Sequence, residues 1–254
     1  DISEIGKNVI PAVPVAGNAK YTLAAITELI TPAKHAEWVD SFKVDEKEED
    51  EKVIQDELFP KSGMLRMGEV IRRVSEATNN DAILVTDVGQ NQMMAVRYFK
   101  YKQTRSVVTS GGLGTMGFGL PAAIGAKVGA PNREVCMFCG DGGIQMTIQE
   151  FGTIMQEHLN VKMIILNNNF LGMVRQWQEL FYKERYSATI MENPDFVAIA
   201  AAYKITAKHI YEREELDGAI KEMLSHDGPY LLVAEVEERG MVYPMVPAGT
   251  CVTN

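Results

Sequence analysis

Short apolar runs alternate along most of the chain with longer stretches in which apolar residues recur at helical spacing. The short runs predict buried strands, and they lie at residues 82–87, 106–110, 134–139, 161–166, 205–209 and 230–236. The amphipathic stretches predict helices, and they lie at residues 63–79, 93–99, 120–128, 144–158, 195–203 and 212–224. Strands that alternate with helices predict an α/β fold, a parallel sheet with helices on both faces.

The beginning of the chain does not follow this alternation. Residues 1–17 contain the run Ile-Pro-Ala-Val-Pro-Val, which predicts an extended piece without a core of its own. Residues 21–30 are apolar at helical spacing, and Thr31-Pro32 predicts the start of a second helix, because proline is favoured at the first helical position. The charge-rich stretch 45–57 predicts a solvated helix or linker. We therefore expect two parts, an arm at 1–60 and a compact domain at 61–254.

Composition narrows the function classes. A net charge of −9 argues against nucleic-acid or anionic-membrane partners, which require clustered positive charge. No apolar run reaches the length of a membrane span. Three cysteines cannot form a complete disulfide framework, which favours a reducing compartment such as the cytoplasm.

Cys136 and Cys139 form a C-x-x-C pair within one predicted strand. Side chains three positions apart on a strand point to opposite faces, and no second cysteine pair follows at zinc-site spacing. The pair is therefore interpreted as two buried small apolar residues and not as a redox or zinc site.

Polar loops follow two of the predicted strands. Gly-Asp-Gly-Gly at 140–143 follows one strand, and Asn167-Asn168-Asn169 follows the next, with a helical pattern between them. A right-handed crossover makes the two strands parallel and brings both loops to one edge of the sheet. Ligands of open α/β sheets bind at that carboxyl edge.

The residue types in these loops suit a metal-bridged diphosphate. Asp141 offers a carboxylate oxygen, Asn168 an amide oxygen and Phe170 a backbone carbonyl, and Mg²⁺ prefers such oxygen ligands together with phosphate and water. The glycines of this loop let the backbone approach a diphosphate closely, and the following helix offers N–H groups to it. They are Gly140, Gly142 and Gly143.

A competing motif lies earlier in the chain. Gly112 to Gly117 matches G-x-G-x-x-G between a strand and a helix, as in dinucleotide-binding folds. The acidic residue expected at the end of the following strand is not there, since Glu134 begins that strand. NAD or FAD binding is therefore the weaker interpretation of this loop.

Gly-Asp-Gly with Asn168 placed 27 positions after Asp141 resembles the cofactor motif of thiamine diphosphate enzymes. The segments 111–126 and 172–182 sharpen this to a resemblance to the catalytic (large) subunit of acetolactate synthase, also called acetohydroxyacid synthase, over nearly the whole chain. The part that it resembles is the C-terminal thiamine diphosphate-binding domain of that subunit. The resemblance implies the thiamine diphosphate-binding fold, with thiamine diphosphate and Mg²⁺ as cofactors and FAD in the full-length enzyme.

The resemblance also implies roles for individual residues. Asp141, Asn168 and the Phe170 carbonyl would hold Mg²⁺, and the backbone of Gly114 and Met116 would hydrogen-bond the thiamine pyrimidine. The Met116 side chain would prop the cofactor in its bent form, although spacing alone favours core packing for it. The full cofactor-binding set is Val88, Gly89, Gln90, Asn91, Gly114, Met116, Gly140, Asp141, Gly142, Gly143, Asn168, Phe170, Gly172, Met173 and Val174.

Two positions depart from the family's pattern. Gln90 and Asn91 would reach the diphosphate, but the family usually has His where Asn91 stands, and an amide cannot carry charge. Phe170 replaces more polar residues, which should matter little if only its carbonyl binds the metal.

Trp177 has two interpretations. Its position in an amphipathic helix is consistent with plain core packing. The resemblance implies instead that Trp177 borders the second-substrate pocket with Met173 and Val174 and favours 2-oxobutyrate over pyruvate.

No glutamate here is expected to activate the cofactor. In the family that residue comes from the N-terminal domain of a neighbouring subunit, and Glu150, Glu157 and Glu179 lie on the diphosphate side. The opening residues resemble the last strand of the family's FAD-binding middle domain. The arm at 1–60 is accordingly interpreted as a remnant of that domain plus a helical linker, and this chain is expected to be inactive alone.

The four histidines are scattered without partners at a telling spacing, so Ser-His-Asp and metal-hydrolase chemistry are not indicated. The resemblance implies a transferase of branched-chain amino acid biosynthesis. It would decarboxylate pyruvate and join the product to a second 2-oxo acid as a homo-oligomer, with or without a regulatory small subunit. The alternatives are another thiamine diphosphate-dependent carboligase or decarboxylase, against which the run Gln-Trp-Gln-Glu-Leu-Phe-Tyr argues, and a non-catalytic nucleotide-binding module.

Overall fold

The structure is a computed structural model, and it describes residues 1–246 and 249. The chain divides into two compact units, residues 1–48 and 49–254. The first unit contains α1 (Ala19–Leu29), whose N-terminus is capped by Asn18, and most of α2 (Ala36–Glu49). None of the residues in these two helices is buried.

The second unit is built on a sheet of six parallel strands. Their order across the sheet is β2-β1-β3-β4-β6-β5. The strands are β1 (Ile83–Thr86), β2 (Val107–Val108), β3 (Val135–Gly140), β4 (Lys162–Asn167), β5 (Thr206–Ile210) and β6 (Tyr230–Glu235). All six predicted strands are present, and because every pairing is parallel, their carboxyl ends meet at one edge.

Helices cover both faces of this sheet, which confirms the predicted fold class. On one face the core is formed with α4 (Met67–Ala77), α5 (Gln90–Tyr98) and α11 (Arg213–Ser225). On the other face it is formed with α6 (Gly119–Gly129), α7 (Asp141–Gln145), α8 (Phe151–Gln156) and α10 (Phe196–Ala202). The other α-helices that the structure describes in this unit are α3 (Gln55–Leu58), which directly follows a π-helix at Asp50–Ile54, and α9 (Gly172–Phe181).

Cys136 and Cys139 lie on opposite faces of β3. Cys136 packs in the core with α4 and α5, whereas Cys139 packs in the core with α6 and α8. Both are buried free thiols. The prediction of two small core residues is confirmed, since neither thiol can reach the other across the sheet.

The prediction of one continuous helix at 144–158 is wrong. The chain forms α7 from Asp141, a 3-10 turn at Ile148–Glu150 and then α8. The break falls at Thr147, whose hydroxyl donates to the Gly117 carbonyl at 3.0 Å. A hydrogen bond to a different loop replaces the continuous helical ladder at this point.

Two helix starts also differ from the prediction. The helix expected at Met93 begins at Gln90, because the Asp87 carboxylate accepts the Val88 N–H and closes a tight turn directly after β1. The helix expected at Thr31 begins at Ala36 and continues into the charge-rich stretch. Within α2, before that stretch, Lys43 pairs with Asp40 at 2.6 Å and supports the helix.

No helix within the described residues is both long and apolar enough to cross a bilayer. The C-terminal tail is described as far as 246, apart from 249. Within it Val242 is buried, and its N–H and carbonyl both bond Gln176 at 2.9 Å. From Met241 onward the sequence has two prolines and no helical periodicity, which predicts a tail that lies over other parts of the chain. Residues 247, 248 and 250–254 of this tail lie outside the described residues.

Glu57 on α3 makes the stability of this unit depend on pH. Its carboxylate accepts the Gly68 N–H at 2.6 Å. Burial raises its pKa from 4.5 to about 7, opposed by that hydrogen bond and by Arg66. Asp56 and Glu69 act in the raising direction.

We expect Glu57→Gln to flatten the pH dependence of the free energy of unfolding. In wild type the folded chain holds a proton that the unfolded chain releases near pH 4.5, so stability falls as pH rises from 4.5 to 7. The variant should gain roughly 2–3 kcal/mol over wild type at pH 8 and little at pH 4. Urea denaturation at both pH values measures this, and an equal difference at the two would contradict the raised pKa.

Candidate functional site

A cavity of about 240 Å³ opens at the carboxyl edge of the sheet. It lies between the loops that follow β1, β3 and β4 and the start of α9. Every residue of the predicted cofactor-binding set lines it, and so do three residues that the sequence did not indicate. These three are Met67, Leu166 and Leu171.

Asp141 directly follows β3 as the first residue of α7 and is only 1% exposed. One carboxylate oxygen accepts the Gly142 N–H at 3.1 Å, and the other accepts Asn193 Nδ2 at 2.7 Å. Burial raises the Asp141 pKa to about 6, although these hydrogen bonds act against the rise. The ionised carboxylate is therefore short of compensating positive charge, which a bound cation would supply.

The other predicted metal ligands border the same cavity. Asn168 is 3% exposed. Its Oδ1 accepts the Phe170 N–H at 3.3 Å, and its Nδ2 donates to Gln90 Oε1 at 3.4 Å. Asn169 between them has a φ of 56°, and this turn brings Phe170 to the cavity wall. A carboxylate, an amide oxygen and a carbonyl around a cavity suit Mg²⁺.

Asn91 carries an unpaired acceptor at this site. Its Nδ2 donates to the Val88 carbonyl at 3.1 Å, whereas its buried Oδ1 has no partner. Buried acceptors are normally satisfied by protein, water or ligand. An amide oxygen would accept from water on a hydrated cation and would not pair with a phosphate oxygen. The departure from the family's His thus favours a contact with metal-bound water at this position.

Gln90 is already engaged within the protein. Its Nε2 donates to Gln176 Oε1 and to the Gly240 carbonyl, both at 2.9 Å. A Cβ at Gly172 would lie 2.2 Å from Gln90 Oε1, so glycine there leaves room for the Gln90 amide in this position. Both hydrogens of the Gln90 side-chain amide are thus used within the protein. A diphosphate could instead accept from the backbone N–H groups in the first turn of α5, which Gln90 begins.

The G-x-G-x-x-G loop binds a carboxylate of the protein itself. Asp87, which is 1% exposed, accepts the Gly117 N–H at 3.2 Å and the Gly119 N–H at 2.8 Å. A Cβ at Gly143 would lie 2.3 Å from the same carboxylate, so the Gly-Asp-Gly-Gly loop leaves room for it. The N-terminus of α6 therefore already holds an anion, which argues against a dinucleotide pyrophosphate in this place.

Gly114 and Met116 also line the cavity, with Gly114 at a φ of 61° and Met116 partly buried. Trp177 is 41% exposed and packs on Phe181 with ring centroids 4.8 Å apart. Trp177 is not among the residues that line the cavity. It lies on the same helix as Met173 and Val174, which do line it, so a pocket that Trp177 borders would extend outward from this wall.

The three glutamates that the sequence offers as candidates to activate the cofactor are engaged with other side chains. Glu150 accepts from Thr153, Glu157 accepts from Gln156, and Glu179 pairs with Arg175. Of the described residues that line the cavity, Asp141 alone is a carboxylate.

Sequence reasoning missed the groups that hold the ligands in place. Asp87, Asn193 and Gln176 have partners in distant parts of the chain, 24 or more residues away. The one local signal was at Asp87, an acidic residue at the end of a predicted strand.

These features define an α/β domain that can hold a cation-bridged diphosphate at its carboxyl edge. Comparison with known families agrees: residues 87–234 match thiamine pyrophosphate enzyme, C-terminal TPP binding domain, and the chain belongs to this family.

Within the family the chain is similar to large subunits of acetolactate synthase, which confirms the resemblance read from the sequence. It is 45% identical to acetolactate synthase isozyme 2 large subunit of Escherichia coli (strain K12), over 71% of this chain and 33% of that protein. It is 39% identical to acetolactate synthase large subunit of Lactococcus lactis, over 98% of this chain and 43% of that protein. A probable acetolactate synthase large subunit of Methanocaldococcus jannaschii is 40% identical, over 100% of this chain and 44% of that protein. The chain thus spans less than half the length of these relatives.

Proposed function

We propose that this chain is the C-terminal cofactor-binding part of an acetolactate synthase catalytic subunit that uses thiamine diphosphate and Mg²⁺. The observation that carries the proposal is the buried, poorly compensated Asp141 carboxylate in a cavity with Asn168 and the Phe170 carbonyl. The similarity to acetolactate synthase large subunits supports it.

In this proposal the chain's residues bind and orient the cofactor. Asp141, Asn168 and the Phe170 carbonyl would hold the cation, and the first turn of α5 would offer N–H groups to the diphosphate. The Met116 side chain would support the bent form of the cofactor, and Gly114 would offer backbone groups to the pyrimidine. When bound, thiamine diphosphate supplies the nucleophilic carbon and the electron sink for cleaving a 2-oxo acid.

The whole enzyme would decarboxylate pyruvate and join the product to pyruvate or 2-oxobutyrate, a step of branched-chain amino acid biosynthesis. Residues 61–254 would form the cofactor domain, and 1–60 would be the end of a FAD-binding middle domain plus a linker. The separate compact unit at 1–48 supports a distinct N-terminal part, whereas residues 49–60 belong to the second compact unit. We further propose that the enzyme is a homo-oligomer. We also propose a reducing compartment such as the cytoplasm, which the buried free thiols of Cys136 and Cys139 support.

The test is to supply this chain with the N-terminal region of an acetolactate synthase large subunit and to identify the product made from pyruvate. Acetolactate is the expected product. Acetaldehyde would indicate a decarboxylase of the same family, and a product-free mixture in which the chain binds the cofactor would indicate a non-catalytic module. Either result would overturn the proposed activity.

In that complemented enzyme, Trp177→Leu should lower the preference for 2-oxobutyrate over pyruvate roughly tenfold while acetolactate formation continues. The reason is that a flat apolar ring beside the Met173 wall selects for one extra methylene, which is worth about 1–3 kcal/mol. The measurement is the product ratio when both 2-oxo acids compete. Tyr182→Leu is the matched control, because this exposed aromatic residue directly follows α9. An unchanged ratio for Trp177→Leu would remove Trp177 from the pocket.

A further inference from the structure

A second cleft, of about 670 Å³, lies at the carboxyl ends of β4, β5 and β6, beside the metal site. Its wall contains a connected set of polar side chains that the proposed chemistry does not use. They are Asn167, Asn169, Asn193, His209, Tyr211 and Glu235. Hydrogen bonds join them in series from exposed Tyr211 to the Asp141 carboxylate.

Glu235 fixes the direction of this series. Its carboxylate accepts from three donors: Asn167 Nδ2 at 2.8 Å, Asn169 Nδ2 at 2.9 Å and His209 Nε2 at 3.0 Å. Burial acts to raise the Glu235 pKa, but the hydrogen bonds from His209 and the two amides outweigh it and lower the pKa below its usual value. An ionised carboxylate can only accept, so both asparagines must turn their amide nitrogens toward it.

The oxygens of those two amides must then point away from Glu235. Both oxygens accept from Asn193 Nδ2. The distance is 2.9 Å to Asn167 Oδ1 and 3.1 Å to Asn169 Oδ1. Asn193 is thereby required to present its nitrogen, and the same nitrogen reaches Asp141 Oδ2 at 2.7 Å.

The opposite end of the Asn193 amide agrees with this orientation. Asn193 Oδ1 accepts from Gln145 Nε2 at 3.0 Å, and Gln145 Nε2 also donates to the Asp141 backbone carbonyl at 3.0 Å. A flipped Asn193 would place its oxygen against three other oxygens and its nitrogen against another nitrogen. The orientation is therefore determined from both sides.

We propose that Asn193 and Glu235 are positioning residues for the metal site: Glu235 sets the direction of the amide hydrogen bonds, so that Asn193 donates to Asp141 and holds its carboxylate in one rotation for the cation. This rests on the proposed function, because it assumes that Asp141 binds Mg²⁺ with thiamine diphosphate. The Gly142 N–H and Asn193 Nδ2 each donate to a different Asp141 carboxylate oxygen, so the carboxylate is held from both sides and each oxygen keeps a lone pair for the cation.

The test is the Mg²⁺ concentration that half-saturates thiamine diphosphate binding to the 254-residue chain, measured for wild type and variants. Asn193→Ala should raise it roughly 10- to 100-fold, as loss of an outer-sphere partner does in metalloproteins. Glu235→Gln should give an intermediate value, because its amide can present only one acceptor oxygen to the two asparagines. Lys208→Gln is the matched control, since Lys208 lines the same cleft but pairs with Glu222 at 2.8 Å.

A second measurement separates positioning from a purely structural role. With Mn²⁺ in place of Mg²⁺, the electron paramagnetic resonance spectrum of the bound ion should change in Asn193→Ala and stay unchanged in Lys208→Gln, at equal melting temperatures.

The outcomes are distinct. Suppose that wild type binds thiamine diphosphate in a Mg²⁺-dependent way. If Asn193→Ala then shows the same half-saturating Mg²⁺ concentration and the same Mn²⁺ spectrum as wild type, this inference alone is overturned. Wild type without Mg²⁺-dependent binding would overturn the proposed function and this inference with it.

Discussion

Replacing Asp141 with alanine is expected to abolish Mg²⁺-dependent binding of thiamine diphosphate to this chain. Asp141 is the single carboxylate among the described residues that line the cavity, so its loss leaves neutral oxygens to hold a doubly charged cation. We expect an increase in Kd of more than roughly 100-fold, because losing an outer-sphere partner alone costs 10- to 100-fold. Isothermal calorimetry at fixed Mg²⁺ measures it.

The fold should survive this change. The raised Asp141 pKa of about 6 means that ionising the carboxylate at neutral pH costs the folded state free energy in the absence of a cation. Removing the carboxylate should therefore not lower the melting temperature of the metal-free chain at pH 7.5. Asp217→Ala, which removes an exposed carboxylate paired with Arg73, is the control. Wild-type cofactor affinity in Asp141→Ala would refute the assignment of the metal ligand.

The isolated 254-residue chain is expected to leave pyruvate unconsumed at saturating thiamine diphosphate and Mg²⁺. The resemblance implies that a carboxyl group beside the pyrimidine activates the cofactor, whereas Asp141 is proposed to bind the cation. Glu150, Glu157 and Glu179 are absent from the cavity lining and bind other groups. The expected rate is background, and adding the N-terminal region of a relative should raise it by several orders of magnitude.

A coupled assay for acetolactate, run on the isolated chain and on the complemented mixture, measures this difference. Heat-denatured chain in the mixture shows the contribution of the added region alone. Steady acetolactate production by the isolated chain would show that a carboxyl group of this chain reaches the pyrimidine.

The fold could be predicted because each layer leaves a periodic trace in the sequence. The four central strands β1, β3, β4 and β6 are buried on both faces and therefore read as short apolar runs, whereas the edge strands β2 and β5 are partly exposed. The order of runs and helical stretches is sufficient to indicate a parallel sheet. The helix at 144–158 was predicted wrongly because its break depends on Thr147 bonding the Gly117 carbonyl, a contact between segments about 30 residues apart. Periodicity carries no information on such a contact.

The candidate site was predictable where its residues follow strands directly. Asp141 and Asn168 each stand at the end of a buried run, and parallel connections bring such positions together. The supporting groups could not be predicted in this way. Asn193 and Glu235 reach the site from an irregular segment and from β6, and their roles depend on which end of each amide faces which neighbour.

The G-x-G-x-x-G loop shows why a motif needs its structural context. The sequence pattern matches a pyrophosphate-binding turn, and only the structure shows that the Asp87 carboxylate takes the N–H groups of Gly117 and Gly119. An anion supplied by the protein occupies the position at which a dinucleotide pyrophosphate would bind.

The most direct test of the account is a calorimetric titration of this chain with thiamine diphosphate, with and without Mg²⁺, alongside a titration with NAD. The account predicts saturable binding of one thiamine diphosphate per chain that requires Mg²⁺, together with no binding of NAD. Binding of NAD, or binding of thiamine diphosphate that is unaffected when Mg²⁺ is removed, would contradict a cation-bridged diphosphate site at Asp141 and Asn168.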